Sequence, residues 1–362
     1  MDDSNALISF IASMSGEGNL RVEENLGDGF VRLRVSEAER RQAKHDIQHV
    51  EDIVIELLRN ARDAGATKIY VATSKEEGRR SIVVIDDGQG VPAEMRERIF
   101  EARVTSKLDT MSMDRWGVHG RGMALFSIRE NALSAEVVSS GAGLGSSFKV
   151  LVDTTELKER ADQSTWPEIE KDEDGLYHCV RGPHNIVRTV AEFALEERAR
   201  CDVFLGSPSE VAATLYEQAR STADASQLLF LDSEDALAVP LRLACAGDAA
   251  EFMRIAAGMG IEVSERTAHR IFAGQIKPVR SVASRLLRSR RHGTAPRRAH
   301  DLSRDARGLK LASEDIDAFS RAIERDFADI AAKYYLYLID EPKVKVQRDR
   351  ICITLDVGKE DS

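Results

Sequence analysis

The sequence has few cysteines, and their positions exclude the common zinc-binding patterns. Cys179, Cys201, Cys245 and Cys352 are far apart in the chain, and none belongs to a CxxC pair. Closely spaced cysteines are typical of structural zinc sites and of disulfide-rich secreted domains. We therefore expect reduced thiols in a cytosolic protein and no structural zinc ion.

Long apolar segments are also missing. No run approaches the roughly 18 apolar residues that a membrane-spanning helix needs. The N-terminus, MDDSNALISFIASMSGEGN, has no basic leader. These two absences predict a cytoplasmic protein with no membrane partner. The GxxxxGK[ST] sequence of P-loop proteins is absent as well, so any phosphate-binding loop is of another kind.

What the chain does contain is compatible with a large folded protein. Its 362 residues, 43% of them hydrophobic, are enough for two or three domains with a sizeable core. The formal net charge of −10 argues against general coating of nucleic acid. A local basic patch is nevertheless present at Val279–Lys310, which contains ten Lys/Arg and two Asp.

Two local patterns near the N-terminus predict regular structure. Residues Arg21–Val35 are expected to form two short strands that turn at Asp28-Gly29, a favoured hairpin dipeptide. Ser36 followed by Glu39 has the spacing of a capping box, which predicts that a helix begins there.

The stretch Ile53–Thr67 places three polar groups on one edge of a predicted helix that ends at Gly65. At about 100° per residue, Glu56, Asn60 and Asp63 fall within roughly 60° of one another. Beside this edge lies an apolar arc made of Ile53, Val54, Leu57, Leu58, Ala61 and Ala64. Polar groups next to a core-facing surface are costly unless they are satisfied. A metal ion and a polyphosphate would satisfy them.

A second pattern follows a predicted buried strand. The apolar run Ile82–Ile85 indicates a strand covered on both faces, and it ends at Asp86 with Gly88 and Gly90 close behind. A carboxylate beside residues without side chains lets a flat ligand approach the backbone and donate a hydrogen bond to the acid. An exocyclic amino group is a natural donor. A simple DDG turn is the alternative interpretation of the same residues.

A third pattern is a long segment without periodicity. Glu101–Arg121 is too long for an ordinary connection in a compact domain, which favours a lid or a binding loop. Gly117, Gly120 and Gly122 close it just ahead of a predicted helix. Backbone N–H groups at a helix N-terminus attract phosphate. By itself, however, GxxGxG matches many unrelated loops.

These patterns occur in a definite order: Glu56-x-x-x-Asn60-x-x-Asp63-Ala64, Asp86-x-Gly88-x-Gly90, Gly117-x-x-Gly120-x-Gly122 and Gly145-Ser146. Together they resemble the four ATP-binding boxes of the GHKL superfamily, which includes gyrase, the heat-shock chaperone, histidine kinases and mismatch-repair MutL. The phrase NARDAGATKI and the lid tripeptide Thr105-Ser106-Lys107 resemble MutL, whereas RIFEARVTSK and GRGMALFSIREN resemble histidine kinases.

The resemblance covers roughly residues 36–155 and implies a fold. We expect an α+β protein, in which a GHKL-type α/β sandwich that binds ATP is followed by a mixed, helix-rich C-terminal region. The expected segments are an N-terminal arm (1–35), the ATP-binding domain (36–155), a linker (156–175), an α/β and helical region (176–310), and a long helix with a C-terminal hairpin (311–362).

The resemblance also implies a role for each matching residue. Glu56 would be the general base that orients water at the γ-phosphate, and Asn60 would hold Mg²⁺. Asp86 would bind the adenine amino group. The remaining expected ATP-site residues are Asp63, Gly88, Gly90, Thr105, Ser106, Lys107, Gly117, Gly120, Arg121, Gly122 and Ser146. Two departures from the family pattern are Ser146, where threonine is common, and a lid shorter than in many histidine kinases.

The function implied is Mg²⁺-dependent ATP binding and hydrolysis, with lid closure that rearranges the C-terminal half or a homodimer. One alternative is a histidine-kinase-like protein kinase, since KHDIQH at Lys44–His49 superficially resembles a phosphoacceptor sequence. His45 lies only eleven residues before Glu56, and we expect it to be too close in the chain to reach the γ-phosphate of its own site.

A second alternative is an ATP-responsive regulator that binds DNA. Residues Ala249–Gly274 are similar to a helix-turn-helix, although the turn looks longer than usual. The basic patch Val279–Lys310 follows directly and could contact phosphates. A purely structural helical hairpin explains the same pattern.

Overall fold

The computed structural model describes residues 22–106, 112–114, 117–119, 122–160, 162–172, 176–223, 233–293, 313–340, 342–346 and 351–359. It divides into two compact units, Met1–Arg291 and His292–Ser362. Expectations for residues 1–21 and 107–111 fall outside the described residues, as do those for 224–232 and 294–312.

The helices and strands described up to residue 293 are β1 (Val22–Gly27), β2 (Phe30–Leu33), α1 (Glu37–Asp46), α2 (Val50–Asp63), β3 (Lys68–Glu76), β4 (Arg79–Asp86), β5 (Val104–Thr105), β6 (Ser112–Asp114), β7 (Gly117–His119), α3 (Ala124–Asn131), β8 (Ser134–Ser140), β9 (Ser146–Asp153), β10 (Glu168–Lys171), β11 (Tyr177–Arg181), α4 (Ile186–Glu196), β12 (Asp202–Gly206), α5 (Pro208–Thr222), α6 (Ala249–Gly258), α7 (Glu265–Phe272) and α8 (Val282–Gly293).

The first unit is built on a five-stranded mixed sheet of order β12-β3-β4-β9-β8. Strand β12 runs parallel to β3, and the other neighbours are antiparallel. In β4, Ile82 and Val84 belong to one hydrophobic core, whereas Val83 and Ile85 belong to another. The strand predicted to be covered on both faces is therefore confirmed, because its alternate side chains enter two separate cores.

The two cores give the unit three layers. Helices α2 and α4, with Ile128 of α3, cover one face of the sheet. The other face is covered by α5, by a 3₁₀ segment at Val239–Cys245, and by α6 and α7. The expected α/β architecture is confirmed, and the later helices add a layer to it.

Local sequence signals set the ends of several elements. The Ser36 hydroxyl accepts a hydrogen bond from the Glu39 backbone N–H, and the Glu39 carboxylate accepts one from Ser36, so the predicted capping box is present. The predicted hairpin is also present, because β1 pairs with β2 around the turn at Asp28-Gly29. Helix α2 ends as predicted, since Gly65 has a φ of +75°, which an L side chain adopts only with strain.

Strand β12 shows how the segment after residue 155 relates to the sheet. Val203 pairs with Ile69, and Leu205 with Val71, in parallel register along β3. Phe204, on the opposite face of β12, stacks on Tyr70 with ring centroids 5.0 Å apart. The expected linker 156–175 is thus followed by a strand of the same sheet. Of the strands described in the later α/β segment, β11 pairs with β10 of the expected linker, and β12 joins the central sheet.

The second unit contains α9 (Ser313–Tyr334), β13 (Leu336–Leu338), β14 (Lys343–Val346), β15 (Ile351–Thr354) and β16 (Val357–Lys359). Strands β13 and β16 pair antiparallel, and so do β14 and β15. The predicted long helix and closing hairpin are confirmed. None of the described helices combines the length and apolar composition that crossing a membrane requires.

We expect Phe204→Ala to destabilise the whole first unit, because it removes a ring packed between β12 and β3. The free energy of unfolding should fall by about 3–5 kcal/mol. Urea unfolding followed by circular dichroism, with ATP-analogue binding measured in parallel, checks this. Val180→Ala is the control; Val180 is 43% exposed, so its loss should change stability by less than about 0.5 kcal/mol. Loss of β12 structure with unchanged ATP-analogue binding would contradict the expectation that the first unit unfolds as one cooperative unit.

Candidate functional site

Helix α2 forms one wall of the candidate site, and its N-terminus is anchored by side chains. The Asp52 carboxylate accepts hydrogen bonds from the backbone N–H groups of Gln48 and His49, at 3.0 and 2.9 Å. Ile53 and Leu57 are fully or almost fully buried against the sheet. Because the apolar side is fixed in the core, the polar edge of the helix must face outward from it.

A cavity of about 660 Å³ lies along that polar edge. Five of the expected site residues line it: Glu56, Asn60, Asp63, Thr105 and Gly122. The first three come from α2, Thr105 lies near the start of the segment predicted to be a lid, and Gly122 directly follows that segment. The structure therefore brings the helix motif and both ends of the lid to one cavity.

Asn60 carries an unsatisfied polar atom in this cavity. Its amide nitrogen, Nδ2, is buried and has no hydrogen-bond partner among the described residues. A buried amide without a partner is uncommon in a folded protein, because it loses its hydrogen bonds to water without replacement. A ligand oxygen would satisfy it, and the amide oxygen of the same side chain is a suitable donor atom for a hard cation.

The two acids on the same edge are held by arginines. Arg59 donates to Glu56 Oε1 at 2.7 Å, and Arg62 donates through Nε to Asp63 Oδ1 at 3.0 Å. Arg62 also lies 3.4 Å from Glu197, just after α4. The helix motif gave no signal of these contacts, because pairing between adjacent residues and at i,i+3 depends on the rotamers adopted.

Asp86 lies in a buried cluster that does not line the first cavity. It is 1% exposed, and it accepts hydrogen bonds from the Gly88 backbone N–H and from the Ser146 hydroxyl. Ser146 stands directly opposite Asp86 in the β4–β9 ladder. Ser146 therefore contacts Asp86 directly.

The second acid of the DDG sequence has a different position. Asp87 accepts hydrogen bonds from the backbone N–H groups of Thr67 and Lys68 and from the Thr67 hydroxyl. It therefore braces the turn between α2 and β3, while Asp86 points into the protein. Asp87 is thus the residue that stabilises a turn, whereas Asp86 is the acid that a ligand amino group would contact.

Close backbone packing explains two of the glycines. Gly90 has a φ of +71°, and a Cβ added there would lie 2.0 Å from the Gly141 carbonyl oxygen. At Gly88, an added Cβ would lie within 2.9 Å of Ala64 and of the Asp86 carboxylate. These glycines allow the segment after β4 to pack against its neighbours.

The other expected site residues are distributed as follows. Gly90 and Ser106 line a second cavity of about 620 Å³, together with Arg96 and the β8–β9 turn. Gly117 opens β7. Lys107, Gly120 and Arg121 lie outside the described residues.

Several residues of the first cavity were not found from sequence. Arg160 follows β9, and His184, Arg188, Thr189 and Glu192 come from α4 or just before it. The Glu51 carboxylate accepts hydrogen bonds from the Arg160 backbone N–H at 3.2 Å and from the Gln163 side chain at 2.7 Å. The expected linker is thus fastened to the N-terminal end of α2, which no local motif signals.

Two residues close to these elements, Asp162 and Cys201, have shifted pKa values. Hydrogen bonds from Thr165 and Ser164 lower the pKa of Asp162 to about 2, so this loop acid stays ionised at neutral pH. Burial, with the nearby Glu197, raises the pKa of the Cys201 thiol to about 11. Cys201 is therefore a neutral thiol at pH 7 and a poor nucleophile.

A family comparison agrees with this geometry. Residues 47–177 match the model of the histidine kinase-, DNA gyrase B-, and HSP90-like ATPase family. Residues 47–177 form a GHKL-type ATPase domain. The match includes α2, β3, β4, the lid segment, α3, β8 and β9, so the resemblance predicted from the four motifs is confirmed.

Relatives of known name match a shorter segment. The DNA mismatch repair protein MutL of Staphylococcus aureus strain Newman is 42% identical over 77 residues, and the same protein of strain N315 gives the same values. The match covers 21% of this chain but only 11% of the MutL sequence. The chain thus spans about a tenth of the length of these relatives.

Two solved structures are also similar in part. A mycobacterial sensor histidine kinase, MprB, is 17% identical with a TM-score of 0.20, covering 34% of this chain and 74% of MprB. Full-length ShkA in complex with AMPPNP is 16% identical with a TM-score of 0.22, covering 56% of this chain and 45% of ShkA. Both TM-scores are too low to describe the architecture of this chain.

We expect Gly90→Ala to disrupt the turn after β4 far more than Gly143→Ala disrupts the β8–β9 turn. Both glycines have positive φ, at +71° and +74°, but a Cβ at Gly143 would meet nothing within 4 Å. Gly143→Ala should therefore cost only the conformational penalty of about 1–2 kcal/mol. The backbone clash at Gly90 should add at least about 1–3 kcal/mol to that. Chemical denaturation of both variants measures the difference, and equal losses would contradict the close approach.

Proposed function

We propose that this protein binds and hydrolyses ATP with Mg²⁺ and uses the cycle as a conformational switch. The observation that carries the proposal is the wall of α2, which presents Glu56, Asn60 and Asp63 to one cavity beside both ends of the lid segment. The family to which the domain belongs supports the same activity.

Each residue has a separate task in this proposal. Glu56 orients the attacking water and accepts its proton, a contribution of about 10²–10⁴-fold in rate for a well-placed base. Asn60 supplies an amide oxygen to Mg²⁺, and Asp63 supports this polar edge. Asp86 accepts a hydrogen bond from the adenine amino group, oriented by Ser146. Bound Mg²⁺ would neutralise charge on the phosphate oxygens.

The residues present fit a magnesium ion that is shared with the nucleotide. Among the described residues, no group of three or more His, Cys, Asp or Glu side chains is arranged to hold a metal. Mg²⁺ commonly takes few protein ligands and completes its shell with phosphate oxygens and water. Asn60 could make that single contact through its amide oxygen, while its buried Nδ2, which lacks a partner among the described residues, would donate to a phosphate oxygen.

The connections at the lid support a switch. Strand β5, where the lid segment begins, pairs with β2 of the N-terminal hairpin, and the Arg103 backbone N–H donates to the Gly122 carbonyl at 2.8 Å. Both ends of the segment therefore meet beside β5, which pairs with the hairpin. Closure over the nucleotide, by Lys107, Arg121 and the glycines Gly117, Gly120 and Gly122 of the lid, would act on the hairpin, on the C-terminal half, or on a second copy in a homodimer. We also propose the cytoplasm as its location.

Separate variants should divide binding from chemistry. Glu56→Gln is expected to lower ATP hydrolysis by at least about 100-fold and to leave nucleotide affinity nearly unchanged, because the base acts on water. Asp86→Asn should instead weaken nucleotide binding by about 10-fold or more, because it replaces the carboxylate that accepts the hydrogen bond from the adenine amino group in this proposal. Phosphate release and binding of a fluorescent ATP analogue measure the two effects.

Either of two results would count against this assignment. Normal hydrolysis by Glu56→Gln would remove Glu56 as the base, and unchanged affinity in Asp86→Asn would remove Asp86 from the adenine pocket. Transfer of γ-labelled phosphate to the protein as an acid-labile product would support the kinase alternative. His45 of α1 would then be the first residue to replace.

DNA binding is a second candidate function, favoured by the arrangement of α6 and α7. The Ser264 hydroxyl caps α7 by accepting a hydrogen bond from the Thr267 backbone N–H, and Arg266, His269 and Arg270 are exposed along that helix. The similarity of the ATPase domain to a DNA mismatch repair protein agrees with this candidate. The basic segment Val279–Lys310 would add phosphate contacts.

If α7 contacts DNA, Arg266→Ala combined with Arg270→Ala should weaken duplex binding and reduce the slope of log affinity against log salt by about two. Fluorescence anisotropy with a labelled duplex at several salt concentrations measures both quantities. Arg181→Ala is the control, because Arg181 is also exposed but lies on β11. Absence of binding at low salt, or equal losses in the control, would exclude α7 as a DNA contact.

A further inference from the structure

Arg59 is among the most deeply buried charged residues of the described chain. Its side chain is 2% exposed, and it lies on α2 among the residues that pack against the sheet. It also lines the cavity that contains Glu56 and Asn60. A buried guanidinium is stable only when nearby anions or acceptors compensate for the water it has lost.

The anion that it contacts is the expected base. Arg59 donates to Glu56 Oε1 at 2.7 Å, one helical turn along the chain. The other acids of α2 interact with different donors. The contacts are Gln163 to Glu51 at 2.7 Å, Arg160 to Asp52 at 2.8 Å and Arg62 to Asp63 at 3.0 Å. Arg59 thus contacts Glu56, and each of the other acids of α2 accepts a hydrogen bond as well.

A buried ion pair of this kind is a weak source of stability, because desolvation of both groups offsets their attraction. An apolar residue in place of Arg59 would fill the same core position against the sheet. The pair does, however, restrict a side chain that otherwise rotates about three bonds. The Glu56 side chain is 19% exposed, and loss of Arg59 would remove one contact that restrains its carboxylate from turning toward solvent at the mouth of the cavity.

We propose that Arg59 is a positioning residue, which holds the Glu56 carboxylate in the orientation needed to act on water at the γ-phosphate. This inference rests on the proposed function, since it takes Glu56 as the base. Arg59 need not contact the nucleotide. Its effect is on the geometry of Glu56, and misplacement of a reacting group by about 1 Å can lower a rate about 100-fold.

The first test separates turnover from binding. Arg59→Met should lower kcat for ATP hydrolysis by about 10–100-fold and change the dissociation constant of an ATP analogue by less than about threefold, because nucleotide contacts remain. Arg59→Lys, which restores a cation near Glu56, should recover most of the lost turnover. A structural role alone would not give this division between kcat and binding, or rescue by lysine.

Arg242→Met is the matched control. Arg242 is also buried, with a side chain 7% exposed, and it forms an ion pair with Asp235 at 2.8 Å. Arg242 belongs to the layer on the opposite face of the sheet. Arg242→Met should therefore lower the stability of the fold without lowering kcat by more than about twofold. Melting temperatures of all variants are measured with the rates. If Arg59→Met does not fold, Arg59→Gln takes its place.

The second test is a double-mutant cycle with Glu56→Gln, measured in single turnovers with γ-labelled ATP. If Arg59 acts through Glu56, adding Arg59→Met to Glu56→Gln should cause almost no further loss. An equal fractional loss in both backgrounds would overturn the proposal, as would a weakened nucleotide affinity with unchanged kcat. Normal hydrolysis by Glu56→Gln alone would instead show that the assignment of the base has failed.

Discussion

The structure of the candidate site depends on how α2 is buried. Its apolar side packs on the central sheet and against α4, with Ile53 and Leu58 completely inaccessible to solvent. Apolar burial is the largest favourable term in folding, and the close packing of a protein interior leaves such a helix little freedom to rotate. The polar edge is therefore held in one direction, toward the cavity. The positions of Glu56 and Asn60 follow from this packing.

The same burial creates an electrostatic problem that the surrounding residues solve. Helix α2 carries acids along much of its length, and each described acid meets an arginine, an amide or a backbone N–H group. Some of these donors come from the helix itself, and others come from the segment after β9. Residues 158–160 and 162–165 therefore connect α2 to the start of α4, where the Asn185 side chain donates to the Thr165 carbonyl at 2.9 Å.

The sheet positions the second part of the site in a different way. Asp86 and Ser146 lie opposite each other because β4 and β9 pair in a fixed antiparallel register. A slip of β4 by one residue would move Asp86 to the other face of the sheet. The cores on the two faces oppose such a slip, because it would move Val83 and Ile85 out of the core covered by α5, α6 and α7 and would carry Asp86 into that apolar layer. Elements beyond the GHKL-type domain thus support its geometry.

The sequence by itself determined the parts that depend on local chemistry. Helix periodicity predicted that Glu56, Asn60 and Asp63 share one edge, and the capping box at Ser36 predicted the start of α1. The apolar run before Asp86 predicted a strand buried on both faces. The order of the four motifs indicated the family. Tertiary structure decided which residues meet across long distances in the chain. It paired β12 with β3 and brought Arg160 and Gln163 into hydrogen bonds with Glu51. It also formed the contact between Arg59 and Glu56 and placed the Asp87 carboxylate on the α2–β3 turn. These contacts depend on packing, on strand register and on the rotamer that each side chain adopts in its surroundings, and none of these leaves a periodic pattern in the sequence.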